Sequence, residues 1–134
     1  PPPTIHDIMV NGSTFGGYPL ASVVGVYAIK VMEDENLAEC ARIRGAQLMN
    51  HFDDIKAEFP DKIKENRGRG LLTAFEMHDS PHLDGHTVSV GLLNRGVYAK
   101  ETHHSTVRVA PALTIQAWQI DNIAEAIRDV IKSL

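Results

Sequence analysis

The amino-acid sequence predicts an α+β domain, a short and mostly antiparallel sheet with helices on one face. Three observations predict it. The apolar pattern alternates along the chain in the order two helices, two strands, helix, two strands, helix. The two pairs of strand-like stretches are each separated by only a few residues, which suits antiparallel neighbours. The final stretch carries one clean apolar face, Ile120, Ile123, Ala124, Ile127, Ile131 and Leu134, as a helix covering a sheet requires.

Residues 1–17 open irregularly on three prolines and close on the glycine-rich NGSTFGG. Pro19 to about Glu33 reads as a mostly apolar, buried helix with proline at its first position. Apolar nearly all round, it calls for a larger core than one small domain supplies, a first sign of a piece of a larger protein. Asn36-Leu37-Ala38-Glu39 has capping-box spacing, with Asn in place of Ser or Thr, and opens a second helix. Leu37, Ala41, Leu48, Phe52, Ile55 and Phe59 share one face of it, and Pro60 ends it. IKENRGRG and LLTAFEMH read as strands joined near Gly68 and Gly70. Leu83 to Asn94 has helical character, with Gly96 suited to its C-terminal end. VYAKET and TVRVAP read as two more strands, with His103, His104 and Ser105 between them.

Composition narrows the function classes. With 134 residues, 43% hydrophobic and 22% charged, the chain is an ordinary globular domain in bulk terms. Its net charge of −4 argues against general nucleic-acid binding, and Arg67 and Arg69 in NRGRG are too few to reverse that. A single Cys40 excludes an internal disulfide framework and fits a reducing compartment. No apolar run approaches the ~18–20 residues of a membrane span. The prolines at the start do not resemble a signal peptide, so an intracellular protein is expected, with the Asn11-Gly12-Ser13 sequon unused.

Two places offer chemistry. In NGSTFGGYPL, glycines let backbone amides converge on an anion, Ser13 and Thr14 add hydroxyls, and the following helix adds its positive end. A plain turn before a capped helix satisfies the same spacing more simply, and no Gly-Lys-Ser/Thr is present to make a Walker-type loop. In TVRVAP, Val107 and Val109 point to one side of a strand and Arg108 to the other, offering a planar fork that suits a carboxylate. An exposed arginine with no ligand is the plainer alternative. The seven histidines do not make a metal site: His82 and His86 are four apart, but no third and fourth ligand has credible spacing. No metal is expected. GRGLLT lacks the third glycine of a dinucleotide fingerprint, and Cys40 reads as a small core residue.

Taken in order, GSTFGGYPLASVVGVYAIKVMEDENL, RGRGLL and GVYAKETHHSTVRVAPALTI resemble the C-terminal part of the class III, pyridoxal-phosphate-dependent aminotransferases, over residues 12–134. The combination of AKETH with RVAPALTI is most similar to the ornithine aminotransferase branch. The resemblance implies the small C-terminal domain of a fold-type I aminotransferase, preceded by a linking helix. Residues 1–35 would then be the end of the large-domain segment, with the phosphate loop and linking helix, and 36–134 the small domain. Ser13 and Thr14 match the loop that binds the cofactor phosphate, reaching across a homodimer interface into the neighbouring subunit. Arg108 matches the arginine near the substrate carboxylate, which in the ornithine branch pairs with a glutamate of the large domain. The implied substrates are a small amino acid and a 2-oxo acid, ornithine and 2-oxoglutarate in that branch.

Two departures stand out. The family usually has Asn where this chain has Tyr18; as an N-cap, tyrosine costs on the order of 1 kcal/mol. The Schiff-base lysine of the family lies further upstream than the residues available before Thr14, and the first lysine here is Lys30. No catalytic residue is therefore expected within the chain, and alone it should be inactive. An N-acetylornithine or 4-aminobutyrate aminotransferase is the alternative within the family, and a small non-catalytic α+β binding module the alternative outside it. As a piece of a larger enzyme, the chain should expose Val23, Val24, Val26, Tyr27 and Ile29. The compartment expected is the cytoplasm or the mitochondrial matrix.

Overall fold

In the computed structural model the structure describes Thr14, residues 16–80 and residues 83–134. The chain divides after Asn36 into two compact units.

The first unit carries helix α1, Pro19–Asp34. Pro19 fits its first turn, where a missing N–H costs nothing, and the Tyr18 carbonyl accepts from both the amide and the hydroxyl of Ser22. No residue of α1 is buried. The apolar content that reads as a buried helix is instead an exposed surface, the arrangement expected of a piece of a larger fold. Asn36, at φ 50, does not cap the second helix: its amide donates to the Glu33 carbonyl, and both carboxylate oxygens of Glu39 are taken by Arg42. The capping box implied by the spacing is not formed.

The second unit comprises α2 (Leu37–Glu58), β1 (Ile63–Arg69), β2 (Leu72–Met77), α3 (Gly85–Leu93), β3 (Lys100–Thr102), β4 (Thr106–Val109) and α4 (Ala117–Ser133). The four strands form one antiparallel sheet in the order β1-β2-β4-β3. Strand alternation divides its faces. Thr73, Phe75 and Met77 of β2 and Val107 and Val109 of β4 turn into the core, where Leu48, Phe52 and Ile55 of α2, Val88 and Leu92 of α3, and Ile120, Ile127 and Ile131 of α4 meet them. Phe52 stands edge-on to Phe75, centroids 5.5 Å apart. Gln47 ties α2 to α4 by donating to Asp121 Oδ1 (2.7 Å) and the Ala117 carbonyl (3.2 Å).

One boundary and one burial differ from the sequence expectation. VYAKET yields a strand only at Lys100–Thr102, because Gly96 (φ 78) ends α3 and the Val97 amide still donates to the Leu92 carbonyl. Cys40 is exposed, standing off the α2 stripe that runs through Leu37, Leu48, Phe52 and Ile55. The fold class is the expected one, a four-stranded antiparallel sheet with its core and helices on a single face.

Candidate functional site

The other face of the sheet carries no helix of the second unit, and it carries the charge. Arg67 on β1 pairs with Ala74 on β2, Ala74 with Arg108 on β4, and Arg108 with Lys100 on β3, so one row across the sheet places three basic residues around one small one. The next row brings Glu65 opposite Glu76 and Glu76 opposite Thr106. Like charges directly opposite destabilise a sheet, so Glu65 and Glu76 need cations between them.

Arg67 and Lys64 supply those cations. Arg67 Nη1 donates to Glu76 Oε2 at 2.7 Å and lies 3.7 Å from Glu65 Oε2, while Nη2 reaches Thr106 Oγ1 at 3.4 Å. Lys64 Nζ donates to Glu76 Oε1 at 2.7 Å. Both Glu76 oxygens are thus occupied, and the hydrogen bonds from Lys64 and then Arg67 hold its carboxyl below the usual carboxylate range. Lys64 gets there through an irregularity: the β1–β2 register shifts between Ile63 and Glu65, leaving Lys64 as the extra residue of a bulge.

Arg108 differs from Arg67. It is exposed, and it makes no hydrogen bond or ion pair among the described residues. It borders a shallow depression of about 400 Å³ with Arg67, Arg69, Leu72 and Ala74, in which Ala74 leaves room beside the guanidinium. A guanidinium so placed can offer a carboxylate two parallel hydrogen bonds.

The second candidate lies in the first unit. Thr14 is exposed in a turn, Gly17 takes a positive φ of 78°, and Tyr18 at the start of α1 makes no side-chain cap. Tyr18 thus gives the first-turn amides of α1 no side-chain acceptor, and such uncapped amides can take an anion. Ser13 and the Asn11 sequon lie outside the described residues, as does His82. His86 Nδ1 lies 3.1 Å from Glu101 Oε2.

Sequence reasoning located Arg108 and its side of the strand. It missed Lys64, Arg67 and Glu76 as a group; the one available signal was the clustering of Arg67 and Arg69 in NRGRG, which bulk charge alone does not interpret.

Comparison with known proteins identifies the family. The sequence signature of the Aminotransferase class-III family matches residues 4–131. The mitochondrial ornithine aminotransferase of Arabidopsis thaliana is 40% identical over 125 residues, covering 91% of this chain and 26% of that protein. Among solved structures, the acetylornithine aminotransferase of Elizabethkingia anophelis superposes with a TM-score of 0.84 at 34% identity, over 92% of this chain and 31% of that one. The ornithine aminotransferase of Toxoplasma gondii, solved with PLP partly occupying its active site, gives 0.82 at 36% identity, over 92% and 29%. The chain thus spans between a quarter and a third of the length of these relatives. With residues 4–131 inside the family match, the chain belongs to the class III aminotransferases.

Proposed function

We propose that this chain is the C-terminal part of a pyridoxal-phosphate-dependent ornithine aminotransferase that moves the δ-amino group of ornithine to 2-oxoglutarate, and that the chain alone does not turn over. The observation that carries this reading is Arg108: an exposed guanidinium with no partner among the described residues, on the helix-free face of the second unit's sheet, within a chain 40% identical to a relative named ornithine aminotransferase.

In this reading Arg108 donates two parallel hydrogen bonds to a substrate carboxylate and so fixes which end of the substrate reaches the reacting centre. The donor set of the first unit fits a phosphate: the Thr14 hydroxyl, Ser13 beside it in the sequence, and the uncapped start of α1. These residues would hold the phosphate of pyridoxal phosphate in the neighbouring subunit of a homodimer. When bound, that cofactor supplies the carbon that takes up the amino group and the ring that draws off electron density. Residues 1–35 are the end of the large-domain segment and 36–134 the small domain. By the mitochondrial name of one relative and the bacterial source of another, the compartment in this reading is the mitochondrial matrix or the cytoplasm.

The similarity to an acetylornithine aminotransferase favours one second reading, N-acetylornithine as amino donor. Amino-donor competition in the full-length enzyme carrying this chain separates the two. Ornithine preferred by about tenfold or more in kcat/KM supports the first reading, and the reverse preference replaces it with the second. For the isolated chain, borohydride reduction with pyridoxal phosphate should trap no single lysine stoichiometrically. One lysine trapped and then discharged by ornithine would overturn the claim of inactivity.

A further inference from the structure

The open sheet face holds a carboxylate that ought to compete for Arg108 and does not. Glu76 lies opposite Thr106, and Arg108 is two residues further along the same strand and face, which makes Glu76 and Arg108 diagonal cross-strand neighbours. Diagonal neighbours stand within reach of long side chains, and opposite charges so placed normally pair. Here Glu76 turns the other way, one oxygen on Lys64 Nζ and the other on Arg67 Nη1, each at 2.7 Å. Arg67 is itself steadied by Thr106, a polar residue only 4% exposed on the strand that carries Arg108.

We propose that Lys64 and Arg67 are positioning residues, a clamp that holds Glu76 away from Arg108 and keeps that guanidinium free for a substrate carboxylate. Neither touches the reacting atoms. The bulge at Lys64 has a purpose in this scheme, since it brings a second cation to the same face of β1 as Arg67 and gives each Glu76 oxygen its own partner. With one cation alone, the second oxygen would remain open to Arg108. The inference rests on the reading of Arg108 as the carboxylate site for its purpose, but the clamp itself can be tested without substrate.

The test is phenylglyoxal labelling of the 134-residue chain, with the rate at Arg108 followed by peptide mass spectrometry against Arg69, which makes no ion pair among the described residues. In the double variant Lys64→Met, Arg67→Met, Glu76 should pair with Arg108 and slow its labelling about two- to fivefold, the range an exposed charge pair supports. Adding Glu76→Gln should restore the original rate. If the double variant fails to fold, the single variants Lys64→Met and Arg67→Met, each leaving one arm of the clamp, should show smaller slowing that Glu76→Gln again removes. An unchanged Arg108 rate in the folded variants, or a slowing that Glu76→Gln does not reverse, overturns the clamp and leaves Lys64 and Arg67 as neutralisers of the Glu65–Glu76 pair. In the full-length enzyme, KM for the carboxylate substrate should rise with the same variants and return with Glu76→Gln, kcat holding steady. Should Arg108→Lys leave KM untouched there while the labelling result holds, the assignment of Arg108 to substrate fails and the clamp stands.

Discussion

Gly45 on α2 and Gly70 in the turn between β1 and β2 meet backbone to backbone: a Cβ on Gly45 would overlap the Gly70 carbonyl and stand 2.7 Å from its Cα. The atoms it would meet are all backbone, in a turn held between two paired strands, so nothing can swing aside as a flexible side chain would. Two effects oppose each other in Gly45→Ala. Helix propensity favours alanine by about 1 kcal/mol, while forcing a methyl into a packed contact costs about 1–3 kcal/mol and more against backbone. The clash should win, and thermal unfolding should show a lower Tm. Gly25→Ala in α1, where a Cβ meets nothing within 4 Å, should not destabilise the chain. A Tm that rises for both variants would contradict the close approach.

Asp84 caps α3, accepting from the Thr87 amide at 2.8 Å, and that hydrogen bond is the main reason its carboxyl lies below the ordinary 3.8. A carboxyl lowered in the folded state adds stability that is present above its unfolded value and lost as pH falls through the folded one. Asp84→Asn keeps a side-chain oxygen for the amide but cannot titrate. Urea midpoints should therefore agree closely at pH 7, while below about pH 4 the wild-type chain loses stability more steeply than the variant. Asp84→Ala should be weaker than Asp84→Asn at pH 7. Parallel acid limbs for wild type and Asp84→Asn would show that the cap does not depend on charge.

How much of the fold and site is legible in the sequence depends on the range of the interaction. Helices α2 and α4 and the β1–β2 pair come from local periodicity and turn residues, and the orientation of Arg108 comes from Val107 and Val109 on either side. The burial expected of α1 fails because apolar content says that a surface needs covering without saying what covers it. The Asn36 box fails because Glu39 has a better partner in Arg42, one helical step away. The Lys64–Arg67–Glu76 group is illegible for a stronger reason. It depends on which residues of β1 and β2 share a face, and a single-residue slip reverses that. The bulge at Lys64 is such a slip, and nothing in IKENRGRG announces it.

Arg108→Lys addresses specificity directly. Lysine keeps the charge but loses the planar fork, so a carboxylate held bidentately should bind on the order of tenfold more weakly. In the full-length enzyme the change should fall mainly on KM for the carboxylate-bearing substrates, with unfolding hardly altered because the side chain is exposed and has no partner among the described residues. Unchanged kinetics would remove Arg108 from the substrate site.

The exposed side of α1 should make the isolated chain associate. Leu20, Val26 and Tyr27 are each more than 60% exposed, and Val23 joins Val26 and Tyr27 around a small apolar hollow. A continuous apolar surface on a helix is unstable in water unless something covers it, and in the isolated chain a second copy is the available cover. Sedimentation velocity should show a concentration-dependent rise in mass. Val23→Lys with Tyr27→Lys, one helical turn apart, should reduce that association without breaking the helix, since lysine is a good helix former. Tyr98→Lys, at an exposed aromatic of the second unit, should leave it unchanged. If the Tyr98 variant abolishes association and the α1 variant does not, the surface that seeks a partner lies on the sheet domain and not on α1.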